Sequence, residues 1–136
     1  MAHGVYLPPE QRPVEEIQRT IDLWSTHPRW PEMLGVAHIE GVIAMLRWGA
    51  GYEAQAPITR RRLGHRPEPR EAGAEQRAAH EAMSSGRYNG RELPDPAVMR
   101  GGWLTGAENA AGWLAGDPQS LMSASMWDEL QHPKTA

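Results

Sequence analysis

Branched aliphatic residues crowd into the first third of this chain, and that asymmetry limits what it can fold into. Val14, Ile17, Ile21, Leu23, Leu34, Val36, Ile39, Val42, Ile43 and Leu46 fall within one short span, whereas the stretch from Glu53 to Glu92 holds only Ile58 and Leu63. The densest core must therefore form early. Phenylalanine is absent, so tryptophan and methionine have to supply bulk elsewhere. A chain of 136 residues forms one domain and buries roughly two-thirds of its unfolded surface, enough for an ordinary core.

Two helices account for the aliphatic-rich span. In "RPVEEIQRTIDLWSTHP", Val14, Ile17, Ile21 and Trp24 recur at i, i+3, i+7 and i+10, one apolar stripe. Pro13 suits the first turn, and Glu15 and Glu16 favour the positive end of the helix dipole. The "HPRWP" that follows stops this helix, since Pro28 and Pro31 both break helical pairing. The second helix is expected from Pro31 to about residue 52 and reads as central, being apolar on nearly all sides. Its length, roughly 30 Å, would also suit a membrane span. Glu40 and Arg47 argue against that, because a charge at a bilayer centre costs about 2.5–3.5 kcal/mol on insertion scales. At about 100° per residue the two lie within about 20° of each other and mark a narrow polar edge facing water. Gly35, Gly41, Gly49 and Gly51 weaken the helix by roughly 1 kcal/mol each against alanine, a cost that close approach of a neighbouring helix or the helix end would offset.

Residues 53–70 read as an Arg/Pro-rich loop, a mobile or partner-ordered arm. A helical C-terminal half follows over 71–136, beginning with a helix in "REAGAEQRAAHEAMSSG" that ends near Gly86. Its apolar face is alanine plus Met83, so it needs packing from elsewhere. Asn89-Gly90 is a tight-turn signal, but without flanking alternation no hairpin is assigned.

The phrase Gly-Trp-Leu-x-Gly occurs twice, ten residues apart, within "GGWLTGAENAAGWLAGD". Helix starts are expected near Asp95, near Thr105 (a capping box with Glu108) and near Asp117, with Gly106 and Gly116 at helix ends. Gly101-Gly102 would then sit within a helix unless the chain bends or forms a short strand there. Ten residues turn a helical side chain by about 280°, so Trp103 and Trp113 would not share a face. Punctuation around helices with tryptophan core anchors is the preferred reading, and a tryptophan-lined surface is the alternative. In "PQSLMSASMWDELQH", Met122, Met126, Trp127 and Leu130 form one stripe, either core-facing or an adaptable contact for a partner.

Chemistry-bearing constellations are sparse. With no cysteine there are no disulfides, thiolate metal sites or cysteine nucleophile, and no H-E-x-x-H, G-x-S-x-G, Walker or G-x-G-x-x-G pattern occurs. No cofactor or metal is implied. His38 lies on the face of the central helix opposite Glu40 and Arg47 and reads as a neutral core histidine. A ligand or catalytic role would need His27 or His80 beside it. His80 and Glu81 point about 100° apart on a helix and form a solvated face rather than a pair. Arg60, Arg61, Arg62, Arg66 and Arg70 oppose only Glu68, a local charge of +4 that could fork to phosphates, though no aromatic lies among them to stack bases. The R-x4-H spacing from Arg60 to His65 resembles the short signature of HEPN-type ribonucleases. Thirteen arginines and six histidines produce such a spacing by chance, and here it sits in a Gly/Pro-rich loop.

The sequence thus leads to an all-α fold, a small irregular bundle of about four to six helices around the central one. The expected function is non-enzymatic: a protein–protein interaction or assembly protein, with itself in a homo-oligomer or with another protein, whose surface involves Trp103, Trp113, Met122, Met126 and Trp127. The motive is a strong N-terminal helix pair followed by weakly apolar segments that would gain burial from another subunit. One alternative is a nucleic-acid-associated regulator using Arg60–Arg70. Another is a small histidine-dependent enzyme or metal protein around His38. Net charge of −3 is too near balance to imply a polyanionic or membrane partner for the chain as a whole. The absence of cysteine fits a cytoplasmic setting, and Met1–Pro13 has neither the basic nor the apolar region of a secretion signal. Lys134 is the one lysine against thirteen arginines, a bias expected of a GC-rich bacterial or phage genome.

Overall fold

The computed structural model describes residues 10–132. Most of the segment read above for a secretion signal lies outside them, as does Lys134. The described residues form six helices and one short hairpin: α1 Val14–Thr26, α2 Trp30–Leu34, α3 Val36–Gly49, α4 Pro69–Ser85, β1 Arg87–Tyr88, β2 Arg91–Glu92, α5 Gly102–Leu114 and α6 Ala124–Gln131. The fold is all-α, as the sequence implies. No helix among the described residues is long and apolar enough to cross a membrane.

Helix α1 follows its stripe: Ile17, Ile21 and Trp24 are buried, and the Pro13 carbonyl accepts the first helical N–H groups. The expected second helix is two helices. Gly35 adopts φ 89°, a left-handed conformation open to glycine, and its N–H caps α2 on the Pro31 carbonyl at 3.0 Å. The chain turns there before α3 begins. The far end comes at Gly49 rather than near residue 52, with Gly51 at φ 87° in the turn beyond. Within α3 the sequence reading holds, since Val42, Met45, Leu46 and Trp48 are buried while Glu40 and Arg47 face water.

The centre is shared with α5. His38 stands beside Gly106, Gly41 beside Trp103 and Ala107, and Gly49 beside Leu114, so α3 and α5 run parallel. A methyl group at Gly41 would strike the Trp103 carbonyl, and one at Gly106 would strike the His38 carbonyl. Glycine at both positions lets the two backbones touch. On its other side α5 meets α4 antiparallel: the Thr105 hydroxyl lies 3.5 Å from the Met83 sulfur, His80 pairs with Glu108, and Gly73 faces Ala115. The alanines of α4 (Ala72, Ala78, Ala79 and Ala82) are buried against this neighbour, which is the packing the sequence said they needed.

The expected helix starts at Asp95, Thr105 and Asp117 do not occur. Asp95 begins a turn in which its carbonyl accepts from Val98 and Met99. Gly101, at φ 52°, starts α5 earlier, so Thr105 lies inside the helix and its hydroxyl donates to the Gly101 carbonyl at 3.1 Å. Asp117 accepts from the Gln119 N–H within a turn, and α6 starts only at Ser123, whose hydroxyl accepts from the Met126 N–H at 3.1 Å. A side chain that caps a helix also caps a turn, and here the turns prevail. Gly116 does end α5, and Gly86 (φ 75°) ends α4 where expected. Asn89-Gly90, with φ 50° and 75°, makes a two-residue hairpin turn that pairs Arg87 with Glu92 and Tyr88 with Arg91.

Candidate interaction surface

Pro31 to Ala37 is exposed throughout, and within it Met33, Leu34 and Val36 retain 71%, 41% and 61% of their accessible surface. The turn at Gly35 moves these side chains out of the buried helix to which their sequence assigned them and onto the corner between α2 and α3. A contiguous exposed apolar patch rimmed by polar residues is the kind of surface that contacts partners.

An aromatic cluster fixes the corner from beneath. Trp24 and Trp30 meet with ring centroids 4.2 Å apart. His27 stacks on Trp30 at 4.4 Å, and Trp127 of α6 stands edge-on to both His27 and Trp30, at 4.9 and 6.0 Å. The Trp24 indole N–H donates to the Met122 carbonyl at 2.9 Å, the Thr20 hydroxyl accepts from the Ala124 N–H at 3.1 Å, and Arg19 approaches Asp128 at 3.8 Å. These contacts hold the segment from Met122 through α6 across α1. Met122, Met126 and Trp127 are half-buried, while Leu130, one turn on from Trp127, is 60% exposed.

Trp103 and Trp113 lie elsewhere. They are 4% and 1% exposed, on a helix covered by α3 on one side and α4 on another. They anchor the core, which is the reading preferred for them, and they offer no surface in this chain. Trp113 carries the Arg12 guanidinium over its ring at 4.1 Å, and Arg12 Nε donates to the Trp113 carbonyl at 2.8 Å. Burial lowers the Arg12 pKa, an effect that Glu16 and Asp117 oppose.

His38 stacks on Trp24 with centroids 5.8 Å apart. Burial lowers its pKa, which favours the neutral ring expected of it. His27 comes into the same aromatic cluster, but Trp24 and Trp30 stand between the two, and no group of three or more metal-binding side chains exists among the described residues. His80 pairs with Glu108 at 3.1 Å across α4 and α5, while Glu81 accepts from the Asn89 N–H. His80 and Glu81 are therefore not a pair, as their spacing implied. The partner of His80 lay 28 residues away, beyond the reach of local pattern.

The loop over 53–70 folds back onto the body. Glu75, 2% exposed, accepts the Ile58 and Thr59 N–H groups at 2.7 and 3.2 Å. Arg66 donates to the carbonyls of Gly49 and Arg12 at 3.2 and 2.7 Å, so it fastens the loop and is not one of a free set. Arg60, Arg61, Arg62 and Arg70 remain exposed. Arg60 and His65 sit in this loop, not on a helix. A comparison of the chain with family models, curated proteins and solved structures finds no match.

Proposed function

We propose that this chain is a non-enzymatic assembly protein of the cytoplasm that docks a second copy of itself through the α2–α3 corner and the adjoining face of α6. The observation that carries the reading is the exposed apolar run of Met33, Leu34 and Val36, which follows on from Trp30, itself packed against Trp24 and Trp127. A stable interface buries about 800 Å² per partner, more than three side chains supply, so the contact extends over Met126, Trp127 and Leu130. Charge selects the occupant. Arg29 and Glu32, both exposed, flank the apolar run, and no ion pair holds either among the described residues. In a twofold dimer each contact occurs twice with its partners exchanged, so Arg29 of one copy meets Glu32 of the other on both sides of the axis.

Light scattering across micromolar concentrations tests this. The wild-type chain gives the mass of a dimer, and Met33→Glu with Val36→Glu gives a monomer of unchanged far-ultraviolet circular dichroism. Arg29→Glu and Glu32→Arg each weaken dimerisation roughly fivefold, since the twofold doubles an exposed pair worth about 0.5 kcal/mol, and the two together restore it. A monomer throughout, or a dimer indifferent to both sets of substitutions, overturns the proposal.

A further inference from the structure

The arginine loop and the β1–β2 hairpin lie far apart in sequence, but the fold joins them in one cleft. This cleft of about 180 Å³ is lined by Thr59 and Arg60 from the loop and by Tyr88, Arg91 and Glu92 from the hairpin. Sequence reading found no aromatic residue among the arginines, and the fold supplies one in Tyr88. We propose that this cleft and the adjoining Arg61 and Arg62 bind the phosphodiester backbone of single-stranded nucleic acid, with a base stacked on Tyr88.

Three features support the assignment, and none depends on self-association. The loop is set before any ligand arrives. Glu75 holds the N–H groups of Ile58 and Thr59 from inside, the Ala56 N–H donates to the Arg61 carbonyl, and Gln55 donates to the Arg60 carbonyl. Backbone polar groups are thereby occupied while the side chains of Arg60, Arg61 and Arg62 stay exposed. Arg60 itself adopts φ 63°, a left-handed conformation that costs an ordinary residue about 1 kcal/mol or more.

The cations are also not tied up in ion pairs. The one buried carboxylate nearby, Glu75, faces the backbone and not the guanidinium groups. Among the described residues no ion pair forms to Arg60, Arg61, Arg62, Arg87 or Arg91. Glu92 is the carboxylate lining the cleft, and it sits opposite Arg87 in the hairpin register. Guanidinium groups spread over two elements suit a repeated anion rather than a single phosphate. Arginine forks bind phosphate oxygens in pairs, and a strand presents them in series. An open cleft with one half-buried tyrosine suits unpaired bases, which stack on an aromatic face without sequence preference.

Fluorescence anisotropy of a labelled oligothymidylate at low salt tests the proposal on the full chain. Binding falls as salt rises, with a log–log slope of about −3, the value for about four phosphates neutralised on a single strand. Arg60→Asn with Arg91→Ala, asparagine being chosen because it tolerates the left-handed backbone, weakens binding at least tenfold. Should that variant lose its circular dichroism, Arg61→Ala with Arg62→Ala reads the same effect from positions that carry no such backbone constraint. Tyr88→Leu weakens binding at least fivefold without changing the salt slope. Arg77→Ala, outside the cleft, leaves binding unchanged. No binding at low salt, binding insensitive to salt, full binding by both arginine variants, preference for duplex, or binding to anionic phosphatidylserine vesicles in place of the oligonucleotide overturns it.

Discussion

Glu75 and His38 show how burial fixes what a single side chain does. A carboxylate 2% exposed is costly unless hydrogen-bonded, and Glu75 meets that need with two backbone N–H groups of the 56–60 turn. Glu75→Gln weakens charge-assisted bonds worth about 1.5–3 kcal/mol each. Thermal unfolding at neutral pH is expected to show a loss of about 2 kcal/mol, with hydrogen exchange accelerating at Ile58 and Thr59 beyond the global change. His38 gives a pH dependence of defined sign. Burial depresses its folded-state pKa below the ordinary 6.5, so between those values the unfolded chain binds more protons. Its contribution is therefore fully present above pH 6.5 and is lost as pH falls through the folded value. The wild-type melting temperature should drop as pH falls below 6.5, and His38→Gln should flatten that drop. Neither residue's partner could be read locally. The His38 periodicity placed it on an apolar face correctly, but nothing near Glu75 in sequence announces the turn it holds, because the contact spans 17 residues.

At the scale of elements, the decisive contact is α3 against α5. Alanine for glycine inside a helix ordinarily stabilises by about 1 kcal/mol. At Gly41 the sign reverses, because the added methyl meets a backbone carbonyl that no side-chain rotation can move, and overpacking costs about 1–3 kcal/mol or more. Gly41→Ala should lower stability by about 2 kcal/mol in chemical denaturation. Gly73→Ala in α4 should raise it by up to about 1 kcal/mol, since the new methyl finds the flexible Arg77 end at 3.5 Å and Ala115 at 4.0 Å. Gly41 and Gly49 serve the close approach expected of them, but Gly35 breaks the helix instead, and Gly106, expected at a helix end, admits a neighbour. Position along a sequence does not distinguish a glycine that stops a helix from one that admits a neighbour. Gly35 illustrates the same ambiguity, since its left-handed conformation divides a stretch whose hydropathy is continuous. Helix α1 is legible because its period and flanking breakers agree, whereas the hydropathy of α3 marks a helix but not its start at Val36. The hairpin and the start of α6 are not legible, because two-residue strands have no period and Ser123 competes with Asp117 for the same capping role.

For the whole molecule, the aliphatic-rich beginning does organise the fold, but it shares the centre with a helix built of glycine, alanine and tryptophan. Later segments are better covered than their hydropathy suggests, since α5 supplies the missing partner for α4. Among the exposed large hydrophobics of the described residues, Met33, Leu34 and Val36 are the ones that fall together in sequence, at the α2–α3 corner. Composition alone placed the exposed apolar surface in the C-terminal half. Trp127 carries that expectation forward through its contact with Trp30, with Met126 half-buried and Leu130 exposed on the same helix. The most direct measurement is amide hydrogen exchange over residues 30–37 as protein concentration rises from low to high micromolar. Self-docking predicts progressive slowing there and along α6, with the loop over 53–70 unaffected. Exchange at the corner that is independent of concentration would contradict the account.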